Sequence, residues 1–242
     1  MTMAPAARSD PDAGGPGLRV IRAGEADVDV LSQVIADAFC DLPPSRWLIP
    51  DPAARREVFP GYFRLYVEHA LARGVVHTTP GRDAAALWLP AGDDTAGPPA
   101  DYAARLAAAT SPWTSRFLAF DAVLDQHHPA GVAHRHLAIL AVRPGRQGQG
   151  TGTALLRACH HRLDRDVHAP AYLEASGERT CRLYRRHGYV LRPGAPFYLP
   201  DSGPPMWPMW REPLPRRTRP AGDAGTGGPR PGDLPAPGGT SP

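Results

Sequence analysis

The sequence predicts a mixed α/β fold: a single domain with one twisted mixed sheet and helices on both faces. Three observations carry that reading. Two short apolar strands, 75–79 and 84–89, flank a turn containing Pro80-Gly81, which is a hairpin signal. Further on, an apolar strand at Leu137 to Val142 runs through a glycine-rich turn into a helix and then a second strand, AYLEA from Ala171. Antiparallel pairing early and a strand–helix–strand unit late imply a mixed sheet. The third observation is the ends. Residues 1–17 are rich in Ala, Pro and Gly, and residues 213–242 hold 8 Pro and 7 Gly. Such segments bury too little apolar surface to offset their ordering entropy, so both are expected to be disordered tails. The folded body is then 18–212.

Each element has its local reason. LRVIRA, from Leu18, is a short strand. Asp27 to Phe39 repeats apolar residues at helical spacing (Val30, Val34, Ala38, or Leu31, Ile35, Phe39). Ala53 to Arg73 is helical, with a break expected at Pro60-Gly61. Residues 90–98 form a loop, and two helices follow within 99–109 and 113–127. Gly150 to Asp164 is a helix with Leu155, Cys159 and Leu163 on one face. Glu178 to His187 is another, with Gly188 suited to the position after its end. Tyr189–Leu191 and Met206–Arg211 complete the sheet.

Composition excludes several functions. The chain has 242 residues, a net charge of +3 and no apolar run near the roughly 18 residues of a membrane span. All 27 basic residues are arginine. Without lysine there is no pyridoxal Schiff base and no P-loop or kinase lysine. The arginines are scattered, a solvated surface rather than a nucleic-acid stripe. Cys40, Cys159 and Cys181 lack metal-ligand spacing, and the N-terminus has no secretory pattern; a cytoplasmic protein is expected. His127-His128 and His160-His161 are adjacent pairs. Neighbouring helical residues point about 100° apart, so neither pair chelates one ion, and no metal is expected.

The chemistry concentrates between Gln147 and Tyr189. Gly148, Gly150 and Gly152 alternate between a strand and a helix start. Glycines there permit a sharp turn and close approach of a ligand to amides, and a helix N-terminus favours an anion, which points to a phosphate or pyrophosphate. A dinucleotide loop would need GxGxxG and two mononucleotide halves; fewer than 70 ordered residues follow, too few for both.

Gln147-Gly148-Gln149-Gly150-Thr151-Gly152 resembles the Q/R-x-x-G-x-G/A signature of the GNAT superfamily of N-acetyltransferases. LAVRPG before it, and YLEAS with LYRRHGY after it, are similar to the same superfamily, in particular to its puromycin N-acetyltransferase-like members. The resemblance implies acetyl-CoA as co-substrate, with Gln147, Gly148, Gln149, Gly150, Thr151, Gly152 and Thr153 around the pyrophosphate. It implies Leu140 and Val142 pairing with the pantetheine arm, and Tyr184 protonating the leaving thiolate. Many members carry asparagine where Thr180 stands; a hydroxyl there could make one cofactor contact. The acceptor implied is a small-molecule amine. Glu174 lies within an apolar strand, as a catalytic base, a structural hydrogen bonder or a recogniser of substrate charge. His136 and Glu68 are further candidates for the base, and Trp47, placed on a loop, is a candidate wall of the acceptor pocket. A non-catalytic acyl-CoA sensor and a protein-lysine acetyltransferase are the alternative readings. Nucleic acid and membrane are not expected as partners.

Overall fold

A computed structural model describes residues 18–92 and 101–215. The predicted tail 1–17, the predicted tail 213–242 from residue 216 on, and part of the predicted 90–98 loop lie outside the described residues. The elements in chain order are β1 (Ile21–Arg22), α1 (Val28–Phe39), α2 (Pro43–Leu48), α3 (Pro52–Arg73), β2 (Val75–Thr78), β3 (Ala84–Ala91), α4 (Tyr102–Thr110), α5 (Thr114–His127), β4 (His134–Val142), α6 (Thr151–Arg162), β5 (Ala171–Ala175), α7 (Glu178–Arg185), β6 (Val190–Leu191), β7 (Phe197–Tyr198) and β8 (Pro205–Arg211). The sheet order is β1-β2-β3-β4-β5-β8-β6, with β7 paired to β8. β4 and β5 run parallel; all other pairs are antiparallel. No described helix is long and apolar enough to cross a membrane.

The predicted mixed sheet with helices on both faces is what forms. Alternation along β3 explains why. Ala85 and Leu87 pack beneath α1 and α3, in a cluster with Leu31, Ile35 and Phe59. Ala84, Ala86 and Trp88 face the opposite way, against Leu155, Leu156 and Cys159 of α6. Alanine on both faces of the central strand lets the helical layers approach closely.

Two expectations are corrected. The break at Pro60-Gly61 does not occur: α3 is continuous from Pro52 to Arg73. Arg56, whose carbonyl loses its intrahelical donor at Pro60, is exposed, so water can take that bond. Phe59, Tyr62 and Phe63 around the proline are buried and hold the helix through tertiary packing. Trp47 sits in α2 rather than on a loop. Its indole nitrogen donates to Pro200 O at 3.1 Å, and the Arg116 guanidinium lies over its ring. Trp47 thus pins the loop after β7. A Cβ at Gly203 would stand 2.8 Å from Trp47 and from Leu199, so the loop packs there only with glycine.

His160, on α6, shows what the histidine pair does. Its ring is buried and its Nε2 meets the Tyr189 hydroxyl at 3.0 Å, while His161 points outward. Burial, then the neighbouring Arg211, pushes the His160 pKa down to about 3. Above pH 6.5 the group is neutral folded and unfolded and contributes no pH dependence. Between pH 6.5 and about 3 the unfolded chain takes up a proton the folded chain refuses, so stability falls as pH drops, by at most about 1.4 kcal/mol per pH unit. In His160→Gln that component should vanish. Denaturant melts from pH 7 to pH 4 check it; identical slopes for variant and parent would refute the assignment.

Candidate active site

The site begins with a fault in β4. Trp88 pairs with Leu137 and Leu87 with Ile139, so Ala138 is an extra residue, a β-bulge. The side-chain phase confirms it: Leu137 packs on the α6 face and Ile139, two residues on, packs on the α1–α3 face. Backbone direction flips as well. At the start of β4 the Arg135 amide points to β5, donating to Pro170 O at 2.9 Å. Eight residues later the Arg143 amide points to the β3 side, donating to Asp83 O at 2.8 Å. Strand alternation then directs the amides of Leu140 and Val142 away from β3, toward the β5 side. There they meet no strand, because β4 and β5 pair only at Arg135–Ala171 and His136–Tyr172 before parting. The Val142 carbonyl accepts from Gln147 Nε2 at 3.1 Å.

The gap opens toward the carboxyl ends of two parallel strands, where ligands of α/β sheets enter. At its mouth lies the glycine turn. Gly145, Gly148 and Gly150 have φ of +82°, +78° and +86°, values that glycine alone adopts without strain, and a Cβ at any of them would meet open space. Gly150 is the N-cap of α6 and offers no side chain to the first amides of the helix. Those of Thr151, Gly152 and Thr153 precede the first intrahelical bond, made by Ala154 to Gly150 O at 3.0 Å. Gly152 is different: its φ is ordinary, and a Cβ there would touch Leu140 and Leu183 at 3.8 Å.

Residues 116–191 match the family model of the acetyltransferase (GNAT) domain. Over that segment the chain is similar to GNAT acetyltransferases. Its fold is shared by an acetyltransferase from Corynebacterium glutamicum described as related to a histone acetyltransferase: 27% identity, TM-score 0.58, covering 82% of this chain and 98% of that one. It is shared also by arylalkylamine N-acetyltransferase 2 from Aedes aegypti (13% identity, TM-score 0.55, 81% and 98% covered). A polyamine N-acetyltransferase from Drosophila melanogaster is similar again (16% identity, TM-score 0.52, 81% and 100% covered). No curated protein sequence matches the chain. GNAT acetyltransferases use acetyl-CoA as co-substrate, and the domain is that of an enzyme.

The remaining candidates fall on the two sides of the sheet. Tyr184 stands in the last turn of α7, which ends at Arg185, two residues short of the His187 end expected from the sequence; Gly188, in the left-handed region, closes the turn that follows. Its ring is buried against Tyr189, centroids 5.8 Å apart, and burial, then Cys181, raises its pKa. Thr180 lies one turn earlier, its hydroxyl donating to Gly177 O at 2.7 Å, which leaves its lone pairs free to accept. Glu174 faces away from the α6 cluster that holds Leu173 and Ala175. Its Oε2 meets His136 Nε2 at 2.9 Å, and its Oε1 is 3.9 Å from His128 Nδ1. Burial by itself would raise this carboxyl; the facing His136, with His128 and Tyr172, outweighs it and holds the group below the usual carboxylate range. Glu68 is elsewhere on α3, engaged by Arg64 and Arg105.

Sequence reasoning missed His128, His134, Tyr172, Arg192 and Trp210 around Glu174. The His128 and His134 rings pack edge-on to Tyr172, and the Arg192 guanidinium lies over Tyr172 and Trp210. One signal was available: His134 and His136 alternate in a strand, which puts both on one face.

Proposed function

We propose that this chain transfers the acetyl group of acetyl-CoA to an amine of a small molecule, an antibiotic-like amine among the candidates, by direct attack in a ternary complex. Its motifs resemble those of the puromycin N-acetyltransferase-like members. The observation that carries the reading is the gap beside β4: unpaired amides of Leu140 and Val142 on one edge, leading to the open amides of the glycine turn. A pantetheine arm fits such an edge as an added strand, and the pyrophosphate fits the cradle from Gln147 to Thr153. The Thr180 hydroxyl is a further contact for the cofactor.

In this reaction the amine nitrogen attacks the thioester carbonyl carbon, an amide at the end of β4 polarises the carbonyl oxygen, and the carbon–sulfur bond breaks. The amine's proton leaves toward Glu174, which the flanking histidines keep ionised. Tyr184 donates its proton to the departing thiolate. A small acceptor is favoured over a protein lysine by the packed aromatic and histidine wall around Glu174. Fold neighbours named for arylalkylamine and polyamine acetylation are consistent with that choice. The folded body is 18–212; the Leu214 amide, just past that boundary, donates to Asp164 Oδ1 at 3.0 Å.

Thiol release from acetyl-CoA over a panel of primary amines tests the proposal. Turnover with at least one small amine is expected; coenzyme binding with no release for any amine would favour the acyl-CoA sensor. Glu174→Gln in the same assay should cut turnover most at low pH and leave coenzyme affinity intact. Weaker acceptor affinity at unchanged turnover would make Glu174 an anchor instead.

A further inference from the structure

We infer that His128, His136 and Glu174 form a binding site for a divalent transition-metal ion of the zinc class. One donor atom from each lies within 4.8 Å of the others, although the three come from the end of α5, from β4 and from β5. His136 Nε2 lies 2.9 Å from Glu174 Oε2 and His128 Nδ1 3.9 Å from Oε1, each within about 0.6 Å of the roughly 3.3–3.5 Å between donors that a tetrahedral ion about 2.0–2.2 Å from each would set. Imidazole and carboxylate donors suit zinc.

The hydrogen-bond chain behind His128 makes the case specific. His134 Nδ1 lies 2.7 Å from the Val132 carbonyl, which can only accept, so that nitrogen carries the hydrogen. The second nitrogen, His134 Nε2, lies 3.1 Å from His128 Nε2, within hydrogen-bond reach of it. The other ring nitrogen of His128, Nδ1, faces the Glu174 carboxylate. The nearer oxygen, Glu174 Oε1, is buried and has no hydrogen-bond partner among the described residues. A ring nitrogen and an unpartnered carboxylate oxygen 3.9 Å apart are too far for a hydrogen bond and leave space for a cation between them. His134 thus takes the part that orients a ligating histidine from behind. The side chains of His128 and His136 remain 26% and 19% accessible, which leaves an entry path and room for water as a fourth ligand.

This inference shares Glu174 with the proposed acetyl transfer but does not depend on it, because binding is measured with no acetyl-CoA present. Chelator-treated, untagged protein is titrated with Zn²⁺ by calorimetry and with Co²⁺ in the visible. Saturation at one ion per chain is expected, with the strong visible bands of tetrahedral cobalt. Glu174→Gln and His128→Asn should each weaken Zn²⁺ binding by about tenfold or more, and His161→Asn, on the exposed face of α6, should not. Circular dichroism verifies that each variant is folded; should one fail to fold, the cobalt spectrum of the parent decides. Absence of tetrahedral bands, or Zn²⁺ affinity unchanged in folded Glu174→Gln and His128→Asn, overturns the site.

Discussion

Tyr184→Phe is expected to lower turnover about 10- to 1000-fold, somewhat broader than the usual range for one positioned acid, while acetyl-CoA affinity and melting temperature change little. The substitution keeps the ring that packs against Tyr189 and removes only the hydroxyl. Burial raises the Tyr184 pKa, so the phenol stays protonated at any working pH. The departing thiolate, with a thiol pKa of about 8.5 as for cysteine, is the weaker base, yet it gains most from a donor as its charge develops. An interaction strongest in the transition state acts on kcat and leaves binding alone. Steady-state rates from pH 6 to pH 9, alongside calorimetry for acetyl-CoA, measure this. Parent-like turnover across that range would mean that water or another group protonates the sulfur.

Gly150→Glu is expected to abolish coenzyme A binding, by two orders of magnitude or more. Gly150 has φ +86° at the N-cap of α6, in the middle of the amide cradle. A carboxylate about 4 Å from a phosphate charge costs about 4 kcal/mol near a protein surface. The left-handed backbone adds about 1–2 kcal/mol of strain for any L-residue, which falls on stability. Gly150→Ala separates the two effects: it bears the strain without the charge and should melt lower yet still bind. Calorimetry on folded protein reads both variants. Parent affinity in folded Gly150→Glu would end the pyrophosphate assignment.

Features confined to short windows were legible in the sequence. Period-two and helical spacings located most elements, and Gly188 marked the turn that follows α7. Positive φ at Gly148 and Gly150 follows from glycine's freedom, a property of one residue. Pro60 misled because a local rule weighs the lost hydrogen bond, whereas the buried aromatic neighbours that hold α3 together come from elsewhere in the chain. The short strand β7 and helix α2 were missed for the same reason: two to six residues have too little pattern to stand out until partners define them.

The sequence by itself determined the layered α/β class, the turn that offers amides at a helix start, and the strand and helix that carry Glu174 and Tyr184. Only the tertiary structure decided what those groups face. The bulge at Ala138 exists as a mismatch between β4 and β3, and no single strand can show a mismatch. From it follow the parting of β4 from β5 and the direction of the Leu140 and Val142 amides. The histidines around Glu174 are 38 to 46 residues away along the chain. Their ring nitrogens meet its carboxylate because backbone pairing brings β4 beside β5 and ends α5 above both. Contacts between distant segments depend on how the whole sheet closes, a property of the packed molecule and not of any window of residues.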